Sequence, residues 1–143
     1  MPFDLDRFLQ AQQHIYAGVL VELRSGRKTG HWIWYIFPQA AGLGTSEMSR
    51  HFGIASLAEA QAYVAHPVLG ARLRECAEAI LATSGRTASE VLGPLDALKV
   101  RSSMTLFLRA APDEPVFARV LDRFYGGIVD DRTDELLGLR GDP

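Results

Sequence analysis

A β-strand needs a partner, and only one stretch of this chain is built like a strand. Residues 31–37 hold two tryptophans, two isoleucines, a tyrosine and a phenylalanine, the content that favours extended backbone. No second convincing strand is present. The segment is therefore read as a short buried helix against its own propensity. The expected fold class is all-α, one domain over residues 1–143 forming an irregular bundle of about seven or eight helices.

Helix signals fill the rest. Asp4 is placed to cap a first helix running to about Arg24, where Leu5, Phe8, Leu9, Ile15, Tyr16, Val19, Leu20 and Leu23 share one arc. Ser56 and Glu59 form a capping box for a helix ending near His66 and Pro67. Pro67 opens another, closed by Gly85, with Leu69, Leu73, Cys76, Ala77, Ile80 and Leu81 as its apolar stripe. Thr87 and Glu90 make a second capping box, stopped at Gly93-Pro94. A longer helix spans about 95–109. Asp113 is expected to cap the next, ended by Gly126-Gly127, and a last short helix covers about 132–137. There is no internal repeat and no linker.

Bulk properties exclude several classes. With 143 residues, 48% hydrophobic and 22% charged, the composition is globular. A net charge of −2 supplies no basic field for a nucleic-acid backbone. Cys76 is the single cysteine, which excludes an intramolecular disulfide and a multi-cysteine zinc site. The four histidines show no HxxxH spacing, so no metal site is expected. The start of the chain does not read as a signal peptide. No apolar run approaches the ~18 residues of a membrane helix. A cytoplasmic protein is expected. No cofactor and no oligomeric state can be named.

Chemistry concentrates in residues 26–53, where both tryptophans and five glycines fall. Trp32, Trp34, Tyr35 and Phe37 make either core or, in part, a stacking wall, since each ring can bury ~150–250 Å². His31 is either a solvated or capping residue or a proton donor to a ligand. Gly42, Gly44 and Ser46 lead into a helix start whose N–H groups suit an anion, although a tight turn with an ordinary cap explains the same pattern. Gln12 sits near the centre of the apolar arc of the first helix, so its amide needs a partner in the core or in a pocket. Asp96, Lys99 and Ser103 share a stripe on a helix that looks largely buried, with Ser102 adjacent. Either Asp96 and Lys99 simply pair along the helix, or Lys99, Ser102 and Ser103 face a polar cavity.

These same stretches carry a resemblance. Phe8 with Ala11-Gln12, Gly26 to Lys28, and the run from His31 to Gln39 match one family. So do the blocks around Gly42, Gly44, Ser46, Ser49 and Phe52 to Ile54, and those from His66 to Leu73. Gly93, Asp96 and the run from Lys99 to Phe107 complete the match. Over nearly the whole chain to about Phe124, the sequence resembles the bacterial Domain of Unknown Function family 1810, some members of which carry the label calpastatin. The resemblance implies an all-helical fold and no assigned function. Where the family pattern has Asp-Asp, this chain has Leu95-Asp96, so only Asp96 carries over. Calpastatin inhibitory segments are disordered repeats, unlike this compact, non-repetitive chain.

Two functions are therefore weighed. One is a small-ligand binding domain, with or without catalysis, for an anionic compound such as a nucleotide or an ADP-ribose-like molecule. The ADP-ribose element comes from a short similarity of Gln10 to Gln12 to helical NAD- and ADP-ribose-associated proteins. The other is a non-catalytic interaction module whose polar core residues are structural. On the first, Gln12, one of residues 31–35, and Lys99, Ser102 or Ser103 should line one polar pocket, closed by the 42–46 turn. Gln39 is included among its residues. Lys99 or Arg101 would meet the anion, and alanine at Gln12 or Ser103 would weaken binding more than stability.

Overall fold

The structure is a computed structural model describing residues 3–139. Ten helices and no strand occur among these residues. The first helix does not run unbroken. It divides into α1 (Asp6–Gln12) and α2 (Tyr16–Arg24). Gln13 and Ile15 donate to carbonyls three residues back, those of Gln10 and Gln12, so the ladder tightens and turns between the two. The cap position of α1 is Leu5, with no side-chain bond, rather than Asp4. This division and the separate short helices raise the count above the expected seven or eight.

The aromatic block forms α3 (Ile33–Ile36), a single turn. Burial decides against its strand propensity: Trp32, Ile33, Ile36 and Phe37 are all buried, and strand propensity is mainly fit to a pleated surface that this fold lacks. The only extended pairing described is an isolated parallel bridge between Ala40 and Ile54.

α4 (Glu47–Phe52) begins at Ser46, whose hydroxyl accepts the Ser49 N–H. α5 (Leu57–Ala65) begins at Ser56 in the same way. The capping box expected there is incomplete, because Glu59 turns to the Ala55 N–H and to Arg7 instead. α6 (Leu69–Leu81) starts where His66 Nδ1 accepts the N–H groups of Val68 and Leu69. It ends before Gly85, because Thr83 folds its N–H and hydroxyl back onto the Ile80 carbonyl. α7 (Ala88–Leu92) has the full Thr87–Glu90 capping box.

α8 (Pro94–Ala110) follows Gly93, whose φ of +87° only glycine adopts readily. α9 (Pro115–Tyr125) is capped by Glu114, not Asp113, and closes on Gly126. α10 (Asp131–Leu136) is capped by Asp130.

α8 is the central element, touching α3, α5, α7, α9 and α10. Val100, Met104, Leu106 and Phe107 are fully buried on it, so its apolar surface exceeds a single stripe. A continuous run of ring contacts crosses the core: Tyr35–Phe52, Phe52–Phe8, Phe8–Tyr63, Tyr63–Phe107 and Phe107–Phe117. Each such pair contributes roughly 0.5–1.5 kcal/mol beyond area burial. That run ties the aromatic block to the far end of the bundle and fixes where the block can present its remaining polar edges. No described helix is long and apolar enough to cross a membrane.

Candidate functional site

The loop between α2 and α3 is folded back onto α2 by one carboxylate. Glu22 Oε1 accepts the N–H groups of Thr29 (2.7 Å) and Gly30 (2.8 Å) and the indole N–H of Trp32 (3.0 Å). Partial burial opposes ionisation of Glu22. The N–H donors of Gly30, Thr29 and Trp32 outweigh it and hold the carboxyl below its usual range. Gly30 is required at this fold-back, since a Cβ there would lie 2.8 Å from the Trp32 ring.

This arrangement leaves an open cleft of about 370 Å³ between α2 and α3, near the lower end of the ~300–1,000 Å³ common for ligand sites. One wall comes from His14, Gly18 and Glu22, spaced four residues apart, with Ile15 and Val19 between them. The opposite wall is Gly30, His31, Trp32 and Tyr35. Gly18 lies in the first turn of α2, and a Cβ built there would meet nothing within 4 Å. No lysine or arginine lines the cleft.

Among the sequence-selected residues, His31, Trp32 and Tyr35 meet here. Gln12 does not line the cleft. Its amide donates to the Tyr35 carbonyl (2.7 Å) and the Tyr63 hydroxyl (3.2 Å), and its oxygen accepts from Arg72 (3.1 Å). At 1% exposure the group is buried and satisfied, as a core amide must be. The Tyr63 phenol is pushed upward by burial, so it stays protonated.

Trp34, Gln39 and Gly44 fall on another face, around a notch with about 10 Å³ of open volume, room for about one water. Ser49 also lines it, and a Cβ at Gly44 would collide with the Ser49 hydroxyl, so that glycine serves the turn. Gly42, at φ +101°, packs beside Leu136 of α10. Ser46 is spent on capping α4.

Asp96 accepts both Lys28 (2.8 Å) and Lys99 (3.3 Å). Each lysine also lies over a tryptophan, Lys28 on Trp32 at 4.8 Å and Lys99 on Trp34 at 5.1 Å. Ser102 donates to Leu98 O and Asp130, while Arg101 approaches Asp130 at 3.7 Å. Ser103 is fully buried and its hydroxyl has no partner. Neither concavity is lined by Gln12, Lys99, Ser102 or Ser103. The polar groups expected to share one pocket are thus dispersed, because neighbouring carboxylates, carbonyls and rings take up most of them.

Sequence reasoning passed over Glu22, Gly18 and His14. Their spacing of four was visible, as was a glycine inside an otherwise helical pattern. Among the described residues no group of three or more His, Cys, Asp or Glu is arranged to hold a metal ion. Burial pushes the Cys76 thiol up to about 12, which makes it a poor nucleophile.

The fold is that of an all-helical domain with an aromatic-walled surface cleft. The chain belongs to the family described as a protein of unknown function (DUF1810), whose model matches residues 2–137. It is similar to a conserved hypothetical protein, Rv1873 from Mycobacterium tuberculosis, known from a crystal structure. The two are 49% identical with a TM-score of 0.95, covering 98% of this chain and 100% of that one. No match is found among curated proteins.

Proposed function

We propose that this domain binds a small organic ligand in the α2–α3 cleft. The observation that carries the proposal is Gly18. A glycine within a helix costs up to roughly 0.5–1 kcal/mol relative to alanine, and in the first turn of α2 neither a positive φ nor close packing calls for it. Its bare backbone lies between His14 and Glu22 in the wall that faces Tyr35 and Trp32. A side chain there would fill the space a ligand needs. Rings and aliphatic groups with a few convergent polar atoms are the usual composition of such a site. The anion expected for Lys99 or Arg101 finds both engaged with carboxylates, so recognition rests on the cleft's own groups.

The test is a thermal-shift panel of nucleotides, ADP-ribose, nucleosides and aromatic amines, run on the wild type and on Gly18→Leu. A ligand that binds only the folded state raises the melting temperature by mass action. The proposal expects a shift in the wild type that Gly18→Leu abolishes while melting no lower than wild type. A shift that survives in the variant would place the site elsewhere.

A second reading, an interaction module, is favoured by Leu95 and Leu98, which are 73% and 55% exposed on adjacent turns of α8. A panel without any shift, together with a self-association in sedimentation that Leu98→Lys removes, would support it.

A further inference from the structure

We infer that the α2–α3 cleft selects an organic cation, a protonated amine on a flat apolar body, with Glu22 as its charge partner. The inference rests on the cleft being a ligand site, and it is carried by a contrast among the acidic groups. Glu59 is paired with Arg7, Asp96 with Lys28 and Lys99, Asp130 with Arg101, and Asp134 with Arg109. Glu22 takes hydrogen bonds from the N–H groups of Thr29, Gly30 and Trp32 and from the Thr29 side chain, all neutral donors, and no lysine or arginine among the described residues lies within ion-pair distance of it. Its negative charge therefore faces the cleft without a protein cation in direct contact, since Lys28, which donates to the Gly30 carbonyl and lies over Trp32, is paired with Asp96.

The three N–H bonds converge on Oε1, and with two oxygens and about four lone-pair sites the carboxylate keeps room, beside the Thr29 hydroxyl, for a charge-assisted hydrogen bond from a ligand. Trp32 and Tyr35 line the cleft with aromatic surface that suits an apolar body, and an aromatic ring attracts a cation at its face. The two histidines on the walls are the remaining titratable groups, along with the Tyr35 phenol, which burial pushes upward. An anion would meet Glu22 with no lysine or arginine lining the cleft to offset it. The cleft volume suits a single-ring ligand.

Benzylamine, benzyl alcohol and benzoate form a series of nearly constant shape and changing charge. Their affinities are to be measured by titration calorimetry or NMR at about pH 8, above the ordinary histidine range. Benzylamine should bind at least about tenfold tighter than benzyl alcohol, with benzoate weakest. Glu22→Gln should erase that tenfold preference while its carbonyl oxygen still accepts the loop N–H groups, and retained Trp32 indole protection from exchange would confirm the loop. Gly18→Leu should abolish binding of all three. Equal binding of the three that Gly18→Leu removes would overturn cation selectivity and leave the cleft as the ligand site. Preference for benzoate, or benzylamine binding unchanged in Glu22→Gln, overturns it too. So does the absence of saturable benzylamine binding.

Discussion

Gln12 and Glu22 lie ten residues apart on consecutive helices, and they resolve the same problem in opposite ways. Gln12 is buried in the core, and both ends of its amide are bonded, to Tyr35, Tyr63 and Arg72. Glu22 is half-buried at a cleft, holds a loop through Oε1 and has no cationic partner. The lesson is that a polar residue marks a site only if the fold leaves its capacity unspent, wherever on the helix it lies. In Gln12 that capacity is consumed by the core. In Glu22 it is turned outward.

Substitutions should separate the two. The largest effect is expected for Gln12→Ala, which strands the Tyr35 carbonyl, the Tyr63 hydroxyl and one arm of Arg72. Urea unfolding should show a loss of about 2–4 kcal/mol, with cleft binding intact in the fraction that folds. Weakened binding at unchanged stability would restore Gln12 to the site.

The α10 helix offers an intermediate case. Arg109 forks onto Asp134 with two bonds of 2.8 Å, and its guanidinium is raised in pKa mainly by that bonding. Arg109→Met should cost about 1–2 kcal/mol after allowance for its partial exposure. Hydrogen exchange should then rise first in α10 and in the Gly42 turn beneath Leu136. Uniform exchange across the molecule would contradict that local docking.

Gly18→Ala is expected to act in the opposite direction, raising stability by about 0.5–1 kcal/mol while reducing ligand affinity. A destabilised variant would mean that the glycine serves packing after all.

The smallest effect is on acid sensitivity. The Glu22 carboxyl is lowered in the folded state, so its stabilisation is fully present above the ordinary carboxylate range. It is lost as pH falls through the lowered folded value. Glu22→Gln should lack this part of the acid-side decline, so its stability should fall less steeply than that of the wild type.

Much of the helical architecture was legible. Capping at Ser46, Ser56 and Thr87 and glycine stops at Gly93 and Gly126 are local chemistry, and the chain follows them. The break after Gln12 was not legible, because it depends on partners 23 to 60 residues away in sequence. The site was legible only in part. His31, Trp32 and Tyr35 stand out by residue type, whereas Glu22 reads as an ordinary exposed helix charge until the loop at Thr29 and Gly30 is folded onto it. The Asp96–Lys99 pair along α8 was one of the two readings open in the sequence and is the one formed, whereas the approach of Lys28 to the same carboxylate was not legible.

The two tryptophans divide the possibilities cleanly, since the indole N–H of Trp32 is bonded to Glu22 at the cleft and Trp34 lies at the notch beside Gly44. The chain has only these two, so two indole resonances in a ¹⁵N–¹H spectrum report the two faces separately. Titration with a ligand found in the thermal-shift panel should move the Trp32 indole signal in a saturable way and leave that of Trp34 in place. Movement of Trp34 with Trp32 stationary would contradict the α2–α3 cleft as the ligand site.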